Sequence, residues 1–325
     1  MPRTRTRWLK FLLPFVGLTF FVFLIYAIHP QNILTAFLKI DIRYILAALI
    51  LTVPVLVIRI SAWQWINRSQ QIHINNLRVL KIYLIGLFYG VGTPGYFGQI
   101  MRAPYMKDVT GAPYGKLFVN VVLETFVHTL SLYVMMVCGA MLVVSMLPQL
   151  LLFTILWILG VLAVFLFLIE KKRGDRLFQG LIRLFIPRKV RGQVSSFTKT
   201  FYQDFPRLRT LAIPLLLGAL TWVLTFTQEY FIVLALGLPI PYLIFLLLYP
   251  VANTAGFLPI SIAGLGTREF TAIAIFTTLF SSISSADIFV VSLAGFMVTD
   301  VFLAAIGFFL TMTEARHPED SLSDA

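Results

Sequence analysis

The sequence predicts an all-α polytopic membrane protein with about six full transmembrane spans and two further hairpins of broken helices. Of its 325 residues, 59% are hydrophobic and only 12% are charged, and the mean hydropathy is +0.89. Repeated apolar runs are long enough to cross a hydrocarbon core of ~30 Å, which takes about 20 helical residues. Pro and Gly interrupt two apolar regions, near residues 94 and 259. We interpret residues 1–315 as a single integral membrane domain and 316–325 as a disordered acidic tail.

Four of the full spans are predicted in the first half of the chain. The apolar runs cover residues 11–28, 42–66, 117–142 and 150–169. Arg59 lies about two turns from the inner end of the second run. We expect its long side chain to snorkel to the membrane interface there.

The remaining two full spans are predicted in the second half of the chain, from apolar runs at residues 211–236 and 287–312. Residues 80–110 and 242–280 are also apolar, but Pro and Gly divide each of them into segments shorter than a full span. We expect both to be re-entrant hairpins, the first opening toward the cytoplasm and the second toward the outside. Two full crossings in each region is the alternative, and either arrangement leaves the C-terminus inside.

Basic residues are concentrated beside the predicted spans. Of 26 Lys and Arg residues, eleven lie between Lys171 and Arg209 and four lie in the first ten residues, and the formal net charge is +12. Such clusters indicate cytoplasmic loops and attract anionic lipid head groups. We therefore predict a cytoplasmic (inner) membrane protein with a cytoplasmic N-terminus and 170–210 loop, and we expect lipids rather than nucleic acid as partners. Apolar residues at helical spacing in this loop predict an amphipathic interfacial helix, with a solvated hairpin as the alternative.

The two hairpins carry related turns. Residues 94–102 and 259–268 each begin with Pro, contain Gly and end with Arg, and the two prolines are 165 residues apart, about half the chain. Paired broken helices of opposite orientation are typical of inverted-repeat transporters, and broken backbone at membrane depth requires cover by protein or a water-filled cavity. The alternative for residues 258–270 is a loop at the membrane surface with its charges in water.

The two arginines that end these turns are the candidate substrate-binding residues. A guanidinium binds phosphate through two hydrogen bonds, and helix N-termini add positive potential, so Arg102 and Arg268 are suited to a phospholipid head group. Glu269 would neutralise Arg268 or pair across the repeat. For each arginine the alternative is an interfacial side chain paired with a neighbour. The turn residues of the predicted site are Pro94, Gly95, Gly98, Pro259, Gly264 and Gly266.

Four further ionisable residues lie within predicted spans. Glu124 and His128 are four residues apart and share a helix face. With Glu229 and Asp300 they would form a polar path or proton relay; structural hydrogen bonding between helices is the alternative. One cysteine and four scattered histidines give no metal-ligand spacing, and we predict no metal, no cofactor and no catalytic residue.

The turn motifs resemble those of a known family. The sequences TPGYFGQIMR and PISIAGLGTRE are similar to the transmembrane region of lysylphosphatidylglycerol synthase, which also occurs as stand-alone proteins called flippase-like or UPF0104. The resemblance covers nearly the whole chain and implies the lipid-translocating half without the soluble aminoacyl transferase domain. Gln99 stands where the family often has an acidic residue, which weakens a relay role at that point.

These observations favour a lipid translocase. It would move an anionic phospholipid or a polyprenyl-linked lipid between leaflets through a midplane cavity lined by the two turns. One alternative is a membrane-embedded transferase using a lipid-linked donor, for which no nucleophile–base arrangement is evident; another is a secondary transporter of a small solute. A lipid-synthesising enzyme is an expected partner. The sequence does not indicate the oligomeric state.

Overall fold

The computed structural model describes residues 5–169 and 208–314, which fold as helices joined by short turns. The helices in chain order are α1 (Arg5–Ile28), α2 (Pro30–Leu38), α3 (Ile42–Ser69), α4 (Asn76–Val91), α5 (Arg102–Thr110), α6 (Tyr114–Leu142), α7 (Pro148–Ile169), α8 (Ala212–Ala235), α9 (Tyr242–Gly256), α10 (Thr267–Leu279), α11 (Ser285–Phe296) and α12 (Phe302–Glu314). The predicted all-α class is thus confirmed for these ranges. The predicted 170–210 loop, apart from residues 208–210, and the tail 316–325 lie outside them.

Four helices are long and apolar enough to cross a membrane. They are Ile42–Ser69, Tyr114–Leu142, Arg209–Ala235 and Ser285–Thr313, the last comprising α11, α12 and the turn between them. These helices match four of the six predicted spans. Pro148–Val161, at the start of α7, is among the shorter apolar helices. The structure therefore supports four candidate spans in its described part, or five with the bent pair described next, and the predicted count of six is not confirmed.

The predicted first span is part of a bent pair. Gly17–Ile28 of α1 and α2 meet at an angle of 82°. His29 between them has a positive φ of 69°, and Pro30 begins α2. A residue in the left-handed region followed by a proline interrupts an α-helix, because proline lacks the backbone donor and clashes with the preceding turn. The pair makes one span only if both helices cross together.

Close backbone contacts hold the helix bundle together. A Cβ added to Gly139 of α6 would lie 1.8 Å from the Leu247 carbonyl oxygen of α9, and one added to Gly307 of α12 would lie 2.0 Å from the Leu84 carbonyl oxygen of α4. Such small residues allow helices in membranes to approach closely, where packing rather than hydrophobic burial drives association. α3 packs along α8 in the same bundle. The main apolar core is built from α6, α8, α9, α10 and α11.

The first hairpin consists of α4, a turn at residues 92–96 (the first turn), a 3-10 helix at Phe97–Met101 and α5. Gly95 and Tyr96 both have positive φ, 58° and 57°. The Thr93 hydroxyl accepts a hydrogen bond of 2.7 Å from the Gly98 backbone N–H. A Cβ on Gly98 would lie 2.0 Å from the Tyr89 carbonyl oxygen, so the chain folds back tightly on the end of α4.

The second hairpin consists of α9, a longer turn at residues 257–266 (the second turn) and α10. Gly264 and Gly266 have positive φ, 75° and 87°, a conformation that glycine adopts without steric cost. A Cβ on Gly264 would lie 2.7 Å from the Gly256 Cα, at the end of α9. The predicted breaks at both Pro–Gly turns are therefore present in the structure.

The two turns contact each other. Pro94 and Ile262 form an antiparallel β-bridge, the one such bridge outside helices in the described ranges. The rings of Tyr96 and Phe257 meet edge to face with centroids 5.5 Å apart. Residues that are separated by about half the chain thus form one contact, which the similarity of the two motifs alone does not specify.

Candidate functional site

A small polar cavity lies beside the contact between the two turns. Its volume is about 80 Å³, enough for several water molecules. We call it the polar chamber. Side chains from α3, α4, α6, α8, α9, both turns, the segment between α11 and α12, and the start of α12 line it. Its principal polar residues are Arg59, Tyr96, His128, Glu229, Asn253 and Asp300.

A larger cleft opens from the chamber. This apolar cleft has a volume of about 420 Å³ and shares several walls with the chamber, including Arg59, Tyr96 and Asp300. It extends between α6 and the 3-10 helix of the first hairpin, where Phe97 and Ile100 line it. Phe97 is 63% exposed, so this end of the cleft reaches the outer surface of the bundle.

One wall of the chamber is backed by two arginines that share a carboxylate. The Arg59 Nη2 lies 2.6 Å from Oε1 of Glu124, and the Arg102 Nη1 donates to Oε2 of Glu124 at 2.7 Å. All three side chains are buried, and Arg102 also donates to the Gln99 amide oxygen. Two cations and one anion leave this cluster with a formal charge of +1. The Nε atoms of both arginines are buried without a hydrogen-bond partner.

Arg102 fits tightly into the first hairpin. Its guanidinium lies over the rings of Tyr83, at 4.9 Å, and Trp63, at 5.2 Å, two favourable cation–π positions. A Cβ on Gly86 would come within 2.3 Å of the Arg102 Cγ, so the glycine makes room for the arginine against α4. Arg102 thereby connects α5 with α3, α4 and α6. It lies behind the chamber wall formed by Arg59 and does not line the chamber itself.

Arg268 is paired within its own turn. Its Nη2 donates to Oε1 of Glu269 at 2.7 Å, and its Nε donates to Ser292 at 3.1 Å. Glu269 accepts a further hydrogen bond of 2.6 Å from the Gly266 backbone N–H, which caps the start of α10. The predicted neutralisation of Arg268 by Glu269 is thus present, and both side chains are buried outside the chamber lining.

The opposite side of the chamber carries two carboxylates. Glu229 of α8 is 5% exposed, and its Oε2 is buried with no hydrogen-bond partner. Asp300 accepts hydrogen bonds from the Thr299 hydroxyl at 2.8 Å and the Tyr96 hydroxyl at 3.4 Å. Within the described ranges, no cationic side chain forms a salt bridge with either carboxylate. Asp300 lies in a π-helical turn, Met297–Val301, a feature frequent at functional sites.

His128 completes the chamber on the α6 side. Its ring stacks on Trp222 with centroids 4.4 Å apart, and its Nδ1 is buried without a hydrogen-bond partner. Glu124, one turn earlier on the same face as predicted, belongs instead to the arginine cluster. Of the predicted polar path, His128, Glu229 and Asp300 line the chamber, whereas Glu124 lies behind its wall with the two arginines.

The residues predicted from the sequence do not all lie at the two cavities. His128, Glu229 and Asp300 line the chamber, and Gly95 lines the cleft. Pro94 belongs to the contact between the turns. The predicted residues outside the lining of both cavities are Gly98, Arg102, Glu124, Pro259, Gly264, Gly266, Arg268 and Glu269.

Arg59, Tyr83, Tyr96 and Asn253 are among the lining residues that the sequence interpretation did not assign to the site. The snorkelling assigned to Arg59 is wrong, because its side chain is 5% exposed and forms a salt bridge with Glu124. An ionisable residue inside an apolar run is the signal that identifies it. Among the described residues, no group of three or more His, Cys, Asp or Glu could hold a metal ion.

Comparison with known proteins agrees with this membrane architecture. The chain is 24% identical over 293 residues to a UPF0104 membrane protein of Pyrococcus horikoshii, covering 82% of this chain and 86% of the relative. It is also 24% identical over 316 residues to a UPF0104 membrane protein of Methanothermobacter thermautotrophicus, covering 90% and 94% of the two chains. The family model described as "Lysylphosphatidylglycerol synthase TM region" matches residues 9–307. The protein is therefore a multi-pass membrane protein that belongs to the lysylphosphatidylglycerol synthase TM region family.

Proposed function

We propose that this protein translocates a phospholipid or a lipid-linked intermediate between the leaflets of the cytoplasmic membrane. The observation that carries the proposal is the junction of a polar chamber of about 80 Å³ with an apolar cleft of about 420 Å³ that reaches the bundle surface. A lipid likewise combines a polar head group with an apolar chain. Its head group would enter the polar chamber while an acyl or prenyl chain stays in the cleft or in the surrounding lipid.

Arg59 is the residue proposed to contact the head-group phosphate. It lines both cavities, and its buried Nε has no partner, so it retains a hydrogen-bond donor for a ligand. The cluster that Arg59 forms with Arg102 and Glu124 carries a formal excess of one positive charge, which an anionic phosphate would compensate. Arg102 would act through Glu124 by fixing the position of Arg59. Arg268 would serve the site by keeping the second turn folded through Glu269.

The two hairpins would provide alternating access. We propose that they are re-entrant segments of an inverted repeat, entering from opposite sides and meeting at mid-depth. The contact between Pro94 and Ile262 and the similar Pro–Gly–Arg turns support this arrangement. Separation of the turns on one side would open the chamber to one leaflet at a time.

The proposed orientation has the N-terminus and the 170–210 loop in the cytoplasm, because the basic residues cluster there. An anionic lipid or a polyprenyl-linked lipid is the proposed substrate. A lipid-synthesising enzyme is the proposed source of that lipid on the cytoplasmic side. Cysteine labelling from each side of the membrane would test the orientation, and external labelling of residues in the 170–210 loop would contradict it.

Leaflet exchange in liposomes tests the function. The purified protein is reconstituted and offered head-group-labelled phospholipids and a labelled polyprenyl phosphate. We expect exchange of one lipid class, reduced about ten-fold or more in Arg59→Gln, because a hydrogen bond to a charged group contributes about 1.5–3 kcal/mol. Arg43→Gln is the matched control, since Arg43 lies on the same helix but is exposed and outside both cavities.

Two results would contradict the proposal. One is the absence of exchange for every lipid offered. The other is exchange that Arg59→Gln and Arg43→Gln leave equally unaffected. Conversion of a labelled lipid-linked donor by the purified protein would instead favour a transferase.

A further inference from the structure

We propose that Glu229 and Asp300 form a binding site for an exchangeable monovalent cation, H⁺ or Na⁺, whose movement is coupled to lipid movement. This inference rests on the proposed function, because it names what drives translocation through the same chamber. Both residues line the chamber, Glu229 from α8 and Asp300 from the π-helical turn.

The first argument is the charge that these carboxylates leave uncompensated. A buried carboxylate is strongly unfavourable unless it is paired, hydrogen-bonded or neutralised. Oε2 of Glu229 is buried without a hydrogen-bond partner, and neither Glu229 nor Asp300 forms a salt bridge in the described part of the chain. A bound cation, whether a proton or a sodium ion, would compensate the charge.

The second argument is the composition of the surrounding wall. Thr225, Asn253 and Thr299, whose side chains carry hydroxyl and amide oxygens, line the chamber together with the two carboxylates. Oxygen donors of this kind suit a small hard cation. The chamber also has room for several water molecules, which would give a proton a route to the carboxylates.

The charged groups on neighbouring helices are already paired with other residues. Arg59 of α3 pairs with Glu124 of α6. Arg268 of α10 pairs with Glu269 and donates to Ser292. The cluster of Arg59, Arg102 and Glu124 keeps one excess positive charge, so the groups around the chamber sum to −1 when Glu229 and Asp300 are both ionised, and neither carboxylate forms a salt bridge of its own in the described part of the chain. One monovalent cation would balance that charge.

The remaining titratable groups around the chamber are uncharged at neutral pH or can be tested separately. Tyr83 of α4 and Tyr96 of the first turn line the chamber, and Tyr249 of α9 lies outside the lining but interacts electrostatically with Glu229. His128 of α6 is the other group whose ordinary titration falls near neutral pH. Any pH response must therefore be separated from His128 by substitution.

Asp300 also has a direct connection to the contact between the turns. It accepts a hydrogen bond from Tyr96, and the Tyr96 ring packs against Phe257 of the second turn. A hydrogen bond to an ionised carboxylate is stronger than one to a neutral group. Protonation of Asp300 would therefore weaken the Tyr96–Asp300 bond, and a sodium ion on the carboxylate would weaken it by drawing on the negative charge of the acceptor oxygens. Either event favours separation of the turns, which couples occupancy of the site to opening of the chamber.

Imposed cation gradients test the coupling. Proteoliposomes that exchange a labelled lipid are given a ten-fold gradient of H⁺ in one arm and of Na⁺ in the other, with the membrane potential clamped at zero. For the coupled movement of one cation per lipid molecule at zero membrane potential, the active gradient should drive a leaflet asymmetry of up to about ten-fold, since each factor of ten corresponds to ~1.4 kcal/mol. Glu229→Gln and Asp300→Asn should each abolish the asymmetry, whereas Asp287→Asn at the start of α11 should retain it; His128→Gln is measured beside them to separate a contribution of the histidine.

A second measurement is independent of lipid transport. Infrared difference spectra of the purified protein are recorded after a pH jump and after Na⁺ addition, for the wild type and the same variants. A carboxyl band that responds to one cation and is lost in Glu229→Gln or Asp300→Asn, but not in Asp287→Asn, supports the site. The absence of any such band overturns the site even if lipid exchange is observed.

The two measurements separate the failure of each proposal. Lipid exchange without asymmetry under either gradient overturns cation coupling and leaves the translocase proposal standing. A responsive carboxyl band without exchange of any lipid overturns the translocase and the coupling and leaves a cation site alone. Loss of the asymmetry in His128→Gln but not in Glu229→Gln or Asp300→Asn assigns the response to the histidine and overturns the carboxylate site.

Discussion

The two turns have similar sequences, yet their arginines are held in different ways. Arg102 of the first hairpin pairs with Glu124, 22 residues away on α6, and shares that carboxylate with Arg59 of α3. Arg268 of the second hairpin pairs with the next residue, Glu269, which also caps α10. The first arginine therefore depends on helices outside its hairpin, and the second depends mainly on its own turn. Similar motifs thus fix the position of an arginine without fixing what neutralises it.

The largest effect is expected from the carboxylate that two arginines share. Glu124→Gln should lower the free energy of unfolding by about 3–5 kcal/mol, because two buried guanidinium groups lose their common anion. Unfolding of the purified protein in mixed micelles measures this change. Asp287→Asn is the charge-matched control at the exposed end of α11. If the Glu124→Gln variant is as stable as that control, groups other than Glu124 compensate the charges of the two arginines.

A smaller effect is expected from the equivalent substitution in the second hairpin. Glu269→Gln removes the charge partner of one arginine only, and the amide can still accept one of the original hydrogen bonds. The expected loss is about 1.5–3 kcal/mol, the range for hydrogen bonds to charged groups. The same unfolding assay measures it. If Glu269→Gln is more destabilising than Glu124→Gln, the inferred contrast between a self-contained and a dependent turn is wrong.

The smallest effect concerns the tight fold of the first hairpin. Gly98→Ala places a methyl group where a Cβ would lie 2.0 Å from the Tyr89 carbonyl oxygen. The expected loss of stability is about 2 kcal/mol from overpacking. Gly160→Ala in α7 is the control, because no atom lies within 4 Å of its added Cβ. Equal stability of the two variants would show that the 3-10 helix moves without cost.

The sequence predicted the architecture best where a single physical requirement decides it. The need for about 20 apolar residues per crossing identified α3, α6, α8 and the α11–α12 span. It did not predict the 82° bend at His29, because the bend depends on one positive φ and the following Pro30. The sequence carried part of this signal in the His–Pro step, since proline restricts the residue before it.

The candidate site was predicted only in part for a different reason. Glu229 and Asp300 were identified because ionisable residues inside apolar spans are expensive unless they serve a function. Arg59 was misinterpreted because its helix is apolar on several faces, and the sequence does not state which face meets α6. The pairing of Arg59 and Arg102 with Glu124 joins three separate helices. Such contacts arise from tertiary packing and leave no local pattern in the sequence.

The π-helical turn at Met297–Val301 has a consequence for the whole last span. The extra residue in such a turn shifts the helical register by about 100°, because an α-helix has 3.6 residues per turn. α11 accordingly faces α8 and α10, whereas α12 faces α4 of the first hairpin. The two ends of one continuous span thereby pack against different sets of helices. Conversion of the π turn to regular α-helix would rotate one end relative to the other and would displace Asp300, which lies within the turn.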